Sequence, residues 1–413
     1  MALLLFLPEI AAFMMLFMMA TQVVQIGPYL VLIELGLLGL LLLLRAPVAL
    51  QTARRWWTLM LVPLLAVIST LWSEAQMATL RYGVQFLLTA FIGVFLARLL
   101  PPRRFLIVFL LSFFCFCIAC ILYGRQGGSA EGMVLIGLTG SKNQMGYAAQ
   151  LLLFSGLAVL LLRNTPAWLR WVGALALPFV GYLLLGFNSA TALVMGIGGS
   201  AILIALWFCQ RFTPGGRLAA LIALFIVLTP LLLLAPEGAQ AWNHFLYDTL
   251  DKDPTLTGRT FLWARADDLI QQRPLLGYGY QAIWMGDSTE TIALQRMTGI
   301  TDGRQFHFHH QFRQVAVDTG YVGLIAYVGA LIAVVLSGMR QLLLRPTVAT
   351  SFFYIVFMMM AARGFTDVII TPLNVHTVIF FAACTYAFWR PQEAAAPAPA
   401  LNWRRLRPAR MPG

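Results

Sequence analysis

Residues 104–123 read RFLIVFLLSFFCFCIACILY: one arginine, then nineteen residues without a charge. As a helix rising 1.5 Å per residue, that run covers about 30 Å, the thickness of a bilayer's hydrocarbon core. Comparable apolar runs recur near 3–22, 28–44, 57–72, 81–100, 143–162, 167–187, 190–209, 217–235, 318–338, 348–363 and 372–389. The chain therefore reads as an all-α polytopic membrane protein of about twelve transmembrane helices. Composition agrees: 60% of the 413 residues are hydrophobic and 11% charged, whereas soluble domains carry about 25% charged residues.

The net charge is +12, and only Lys142 and Lys252 are lysines. The basic residues are spread between apolar runs, which speaks against a nucleic-acid surface and for topology signals. With the N-terminus inside, the inner loops and tail hold seventeen arginines, from Arg45 through Arg98, Arg163 and Arg340 to Arg410. The short outer loops hold four basic residues, Arg81, Arg125, Lys142 and Arg363. Both termini are thus expected inside and the long segment 236–317 outside. The first run has neither a basic leader nor a cleavage site, so it is expected to be a retained helix.

Four parts follow: residues 1–235 with nine membrane helices, 236–317 as a large outer loop containing helices, 318–390 with three more, and 391–413 as a basic, disordered tail. The outer loop carries four of the five histidines, His244, His307, His309 and His310, interleaved with aromatic residues from Trp242 to Trp284. A connector of that length is usually functional. All five cysteines lie in apolar runs. Cys115, Cys117 and Cys120 are close in sequence but have no histidine or carboxylate nearby, so they read as core residues.

Several sequences bear chemistry. Gly258-Arg259-Thr260-Phe261-Leu262-Trp263 is followed by Arg265, then by Arg273-Pro274-Leu275-Leu276-Gly277-Tyr278-Gly279. A guanidinium fork matches phosphate oxygens, and Arg259 falls at a helix start where free N–H groups also favour anions. Arg265 has an alternative, an i,i+3 pair with Asp268. His307-Phe308-His309-His310 offers imidazoles that take a hydroxyl proton near working pH. A zinc reading lacks an H-E-x-x-H pattern, and Asp302, the nearest carboxylate in sequence, is at no recognised ligand spacing. Lys142 and Asn143 at the turn before the sixth run face outward, where Lys142 either meets an anionic headgroup or snorkels. Trp72-Ser73-Glu74 with Arg81 is either a plain ion pair or part of a cavity lining. Asp251-Lys252-Asp253 is discounted as a nucleotide-sugar motif because of its side of the membrane. His376 is either an interhelical donor or a cavity group. Neither a phosphate-binding GxxxxGK[ST] loop nor GxGxxG occurs.

Taken together, these motifs resemble the O-antigen ligase/polymerase superfamily of membrane glycosyltransferases. Trp72-Ser73-Glu74 resembles its W-S-x segment, and Gly140-Ser141-Lys142-Asn143-Gln144-Met145-Gly146 its short motif with a central asparagine. Gly258-Arg259 through Trp263 with Arg273–Gly279 is similar to G-R…W…r-P-L-L-G-x-G, and His309 stands eleven residues before Gly320-Tyr321-Val322-Gly323. The likeness covers residues 70–325. It implies a GT-C type helical fold in the bacterial inner membrane, with cytoplasmic termini and a periplasmic site. The implied reaction is glycan transfer from an undecaprenyl diphosphate donor to lipid A–core oligosaccharide, with no metal, ATP or other cofactor.

By the same resemblance, the catalytic base is His309 or His310. Arg259 binds the donor diphosphate, with Arg265, Lys142 and Arg81 secondary, and Asn143, Glu74 and Trp263 support the site. The chain departs from the family at Ser189-Ala190, where many members have Ser-Arg or Ser-Lys, and at His310, where asparagine is usual. The alternatives are a polymerase of O-antigen or exopolysaccharide, a protein O-oligosaccharyltransferase, and a transporter of lipid-linked glycans. A transporter would more often show internal repeats or mid-helix charges; this sequence has no clear repeat, and its charges gather at the outer face.

Overall fold

A computed structural model describes residues 6–21, 27–129, 132–139, 142–187, 190–220, 222–223, 259–299 and 306–390. The helices up to residue 209 are α1 Leu7–Ala20, α2 Gly27–Leu44, α3 Ala46–Trp56, α4 Leu61–Ile68, α5 Gln76–Leu99, α6 Pro102–Tyr123, α7 Lys142–Leu161, α8 Ala167–Phe187 and α9 Ala190–Cys209. A hairpin of β1 Arg125–Ser129 and antiparallel β2 Gly132–Gly137 joins α6 to α7. Then come α10 Arg259–Gln272, α11 Ala282–Met285, α12 Thr289–Met297, α13 Gln311–Leu344, α14 Val348–Arg363 and α15 Val375–Ala387.

Among the described residues, five helices are long and apolar enough to cross a membrane alone: α5, α6, α7, α8 and α13. A sixth arises if α2 and α3, bent by 99°, are counted as one span. The other apolar helices among the described residues include α1, α14 and α15, each under 18 residues, and the twenty-residue α9; the chain is polytopic, and five or six of the expected twelve spans are found among the described residues. Local chemistry explains why some helices are shorter than their apolar runs. The run at 57–72 begins with a turn and ends as a 3₁₀ segment, Ser69–Leu71. Asn374 caps α15 by accepting a hydrogen bond from the His376 N–H, so that helix starts three residues later than the apolar run. The run at 217–235 and the tail 391–413 lie mostly or wholly outside the described residues, as do His244 and the Asp251-Lys252-Asp253 stretch.

The bundle core is apolar and aromatic, with Phe95, Phe105, Phe109, Phe353 and Tyr386 fully buried. Polar residues fasten its ends. Arg103 Nη2 donates to the carbonyls of Arg163 and Asn164, at 2.8 and 2.7 Å, closing the turn between α7 and α8. Thr347 and Thr350 form a reciprocal capping box at the start of α14.

The tenth apolar run was expected from residue 318, but its helix begins at Gln311. Three of the seven extra residues are polar, Gln311, Arg313 and Gln314, and each finds a partner. Gln311 Oε1 accepts from the N–H groups of Ile369 and Ile370, both at 3.1 Å. Gln314 Nε2 donates to Asp318, and Arg313 makes a two-pronged pair with Asp267 at 2.7 and 3.0 Å.

Within α13 the chain kinks at Gly320, where φ is +66° and ψ −166°. There the Arg273–Gly279 segment docks by backbone pairing. Tyr278 N–H donates to Val317 O and Gly279 N–H to Asp318 O, both at 2.9 Å, and Tyr321 N–H donates to Pro274 O at 2.7 Å. Trp72 Nε1 donates to Leu276 O at 3.0 Å, and Glu74 pairs with Arg273. The expected Glu74–Arg81 pair is therefore replaced: Glu74 belongs to Arg273, and Arg81 lies over the ring of Tyr82. A Cβ at Gly320 would sit 2.2 Å from Leu275 O, and one at Gly277 2.5 Å from Val317 O. Both residues also need the left-handed φ that glycine tolerates.

Gly320→Ala should therefore destabilise the protein by at least about 2 kcal/mol, from left-handed strain plus a backbone collision. Thermal unfolding of the detergent-solubilised chain measures this, with Gly181→Ala, which meets nothing within 4 Å, as the control expected to stay near wild type. Equal melting of both variants would contradict the docking role of Gly320.

Candidate active site

The segment after residue 258 has a core of its own. Leu262, Ala266 and Leu269 of α10 pack with Tyr278, Ile283, Trp284, Leu294, Phe308 and Val317. Trp284 is fully buried, its ring 4.9 Å from that of Phe308 and 5.4 Å from that of Phe306. Trp263 Nε1 donates to Phe308 O at 3.0 Å. The histidines are thus held from both sides: Phe306 and Phe308 are fixed in an apolar core, so the intervening and following imidazoles must turn outward from it.

His309 and His310 part company. His310 is the N-cap of α13, and its Nδ1 accepts from the Arg313 N–H. Its ring meets the edges of Trp263, Phe312 and Phe365. Burial, and then the neighbouring Arg313, push its pKa below the usual histidine value. His309 has φ +51°, a left-handed conformation uncommon outside glycine. Its Nδ1 lies 3.4 Å from Oδ1 of Asp367, and it lines a cavity of about 660 Å³.

That cavity also contains Arg259, with Phe261, Leu262, Met297, Thr298 and Phe306 as its mostly apolar walls. Arg259 is the first residue of α10. Its Nη1 donates to Thr366 O at 2.8 Å, so one of its five N–H donors is engaged there. The structure brings together the arginine and the histidine that the sequence singled out, across 50 residues of chain.

Arg265 goes elsewhere. It forks onto both carboxylate oxygens of Glu290, Nε to Oε1 at 2.7 Å, and lies 3.4 Å from Asp268. The i,i+3 pair is present, and the guanidinium that resemblance offered to a diphosphate is occupied by carboxylates and does not line the cavity. Trp263 supports the site through Phe308 as described. Asn143 and Arg81 are exposed and do not line this cavity. Lys142 begins α7, and its side chain lies outside the described residues, as do Gly258 and Ser189.

Two residues that sequence reasoning did not select complete the site. Asp367 faces His309, and also His307 Nε2 at 3.9 Å; its other oxygen takes Arg363 Nη2 at 3.1 Å. Burial opposes ionisation of Asp367, yet the His309 imidazole and the Arg363 guanidinium hold its carboxyl below the ordinary carboxylate range. Arg363 also lies 4.6 Å over the ring of Tyr147, which His376 meets edge-on at 4.7 Å. One signal was available: Asp367 is the only acidic residue between Asp318 and Glu393, and it stands four residues from an arginine that ends an apolar run.

His307, His309 and Asp367 are close enough for a metal ion, with candidate ligand atoms within 4.8 Å of one another. The hydrogen bonding opposes one. His307 Nδ1 accepts from the His309 N–H at 3.2 Å, so its proton sits on Nε2, the atom that would have to ligate. Arg363 already neutralises the shared carboxylate. The arrangement is suited instead to hold His309 with a proton on Nδ1, facing Asp367, and a lone pair on Nε2.

Burial, and then His309, lower the His307 pKa to about 4 from the usual 6.5. The folded protein therefore binds fewer protons here than the unfolded chain between those values, and stability falls as pH drops from 6.5 toward 4. Asp367 acts in the same direction but only below its ordinary value of 3.8. His307→Gln should flatten the pH dependence of Tm between pH 6.5 and 4 while sparing the decline below it. An unchanged slope would refute the neutral, buried His307.

Residues 181–328 match the family model described as O-antigen ligase. That span includes Arg259, the histidines and the Gly320 kink, and stops short of Asp367. The chain is also 27% identical over 338 residues to the exopolysaccharide production protein ExoQ of Rhizobium meliloti (strain 1021), covering 80% of this chain and 77% of that protein.

Proposed function

We propose that the chain is a member of the O-antigen ligase/polymerase superfamily, as its match to the O-antigen ligase family model and its likeness to ExoQ support, and that it is an inner-membrane glycosyltransferase of GT-C type. In this reading it moves a glycan from undecaprenyl diphosphate to an acceptor hydroxyl on the periplasmic face, without metal or ATP. The observation that carries the reading is the single cavity lined by both Arg259 and His309, with Asp367 behind the imidazole.

Each group has a defined task. The acceptor hydroxyl gives its proton to His309 Nε2 as its oxygen bonds to the anomeric carbon. The bond from that carbon to the diphosphate oxygen breaks, and the electron pair leaves with the diphosphate. Arg259 and the free N–H groups at the start of α10 face the charge that develops on the leaving group. Asp367, kept ionised by Arg363, fixes the imidazole tautomer and stabilises the imidazolium that forms. The lipid diphosphate is its own leaving group, so no nucleotide is required.

The acceptor is lipid A–core oligosaccharide if the protein is an O-antigen ligase, as the family model's description favours. The likeness to an exopolysaccharide production protein favours a second reading, in which the acceptor is another lipid-linked glycan chain and the product is a polymer.

With purified protein, undecaprenyl diphosphate glycan and lipid A–core, joined product should form in the presence of a chelator. His309→Ala should lose at least about 10²-fold in rate, the usual worth of a general base. His310→Ala should keep activity to the extent that it folds. Arg259→Ala should lose about 10²-fold or more, as expected for a group facing developing charge, and Arg265→Gln/Glu290→Gln together should retain transfer. Asp367→Asn should lower kcat and shift the basic limb of the pH profile. Full activity in His309→Ala would remove the proposed base. Product with a glycan acceptor but none with lipid A–core would replace the ligase reading by the polymerase one.

A further inference from the structure

A second cavity, of about 760 Å³, lies at the opposite end of α13 from His310. It runs between α13, the α3–α4 turn and the end of α15, from Ile325 to Arg345 along α13. Those twenty residues of helix cover about 30 Å, one hydrocarbon-core thickness. Its chemistry is graded along that length. At one end the floor is Ala326, Gly329, Ala330 and Ala333, small residues that leave a trough. At the other end stand Arg55, Arg340, Arg345 and Arg390.

No carboxylate lines this cavity, and among the described residues Arg340, Arg345 and Arg390 form no ion pair. Inward-facing arginines alone would be a topology signal. Arg340, Arg345 and Arg390 beside one trough of small residues need more explanation, because each like charge raises the cost of the others unless an anion lies between them.

We propose that this cavity binds an anionic glycerophospholipid of the leaflet opposite the His309 site. Its phosphate lies among Arg340, Arg345 and Arg390, and one acyl chain lies along the Ala326–Ala333 trough. Guanidinium forks suit phosphate oxygens, and basic pockets between membrane helices are a known mode of anionic lipid recognition. A zwitterionic headgroup would bring an ammonium against the arginines and is disfavoured. The bound lipid would brace α13, which carries the active-site histidine loop at its other end.

The test is native mass spectrometry of the full chain released from micelles of equal phosphatidylglycerol and phosphatidylcholine. The wild type should retain phosphatidylglycerol at least tenfold over phosphatidylcholine. Arg340→Gln/Arg345→Gln/Arg390→Gln should abolish the preference, while the charge-matched Arg54→Gln/Arg163→Gln/Arg170→Gln should keep it. Gly329→Trp fills the trough and leaves all four arginines; a Cβ at Gly329 meets nothing within 4 Å, so the variant should fold and lose the lipid. Equal retention of both lipids by the wild type, equal loss in the charge-matched variant, or undiminished phosphatidylglycerol on Gly329→Trp would overturn the proposal. So would displacement by glycerol phosphate at the concentration at which phosphatidylglycerol binds, since the headgroup alone would then suffice.

Discussion

The juxtaposition of Arg259 and His309 hangs on the backbone pairing between residues 274–279 and 317–322. A helix kinked at Gly320 exposes N–H and C=O groups that must find partners in a water-poor setting. The Pro274–Gly279 chain supplies them, with glycines where the two backbones meet too closely for a Cβ. The same pairing anchors the C-terminal end of α10 beside the first turns of α13. Because Arg259 opens α10 and His309 precedes α13, fixing these two helices to one another fixes the arginine and the imidazole across one cavity. Glu74 and Trp72 add a third strut from the α4–α5 turn.

The arginines around this region sort by what already neutralises them. Arg265 is held by Glu290, Arg273 by Glu74, Arg313 by Asp267 and Arg363 by Asp367. These pairs are partly exposed, so their worth lies in geometry more than in stability. Arg259 differs: it donates to the neutral Thr366 carbonyl, and no carboxylate pairs with it among the described residues. An anionic ligand is the natural complement.

Much of this was legible in the sequence. Length and unbroken apolarity marked α6, α8 and α14 closely, because nothing polar competes for their positions. The polar start of α13 was not legible, since Gln311, Arg313 and Gln314 look like loop residues until Ile369, Asp267 and Asp318 are placed around them. The bend between α2 and α3 follows Arg45-Ala46-Pro47, a sequence that ends an apolar run without saying that a second helix leaves at 99°. Motif spacing pointed to Arg259 and His309, but spacing does not distinguish a guanidinium that faces a cavity from one folded onto a carboxylate. That distinction separated Arg259 from Arg265. Asp367 was hidden for a related reason: its partner lies 58 residues earlier, and no local pattern links them.

The placement of Asp367 also bears on the charge balance around the histidines. Its carboxylate is shared by two imidazoles and one guanidinium. If only histidines faced it, it would invite a metal or a third proton. Arg363 supplies a permanent positive charge from the end of α14, leaned against Tyr147 of α7, so the carboxylate stays ionised without either. His309 Nδ1 then lies 3.4 Å from that fixed carboxylate, and the residue lines the cavity. The helical bundle therefore holds the His309 imidazole through Asp367, a residue beyond the span that the family model matches, which ties the histidine loop to the packing of the last helices.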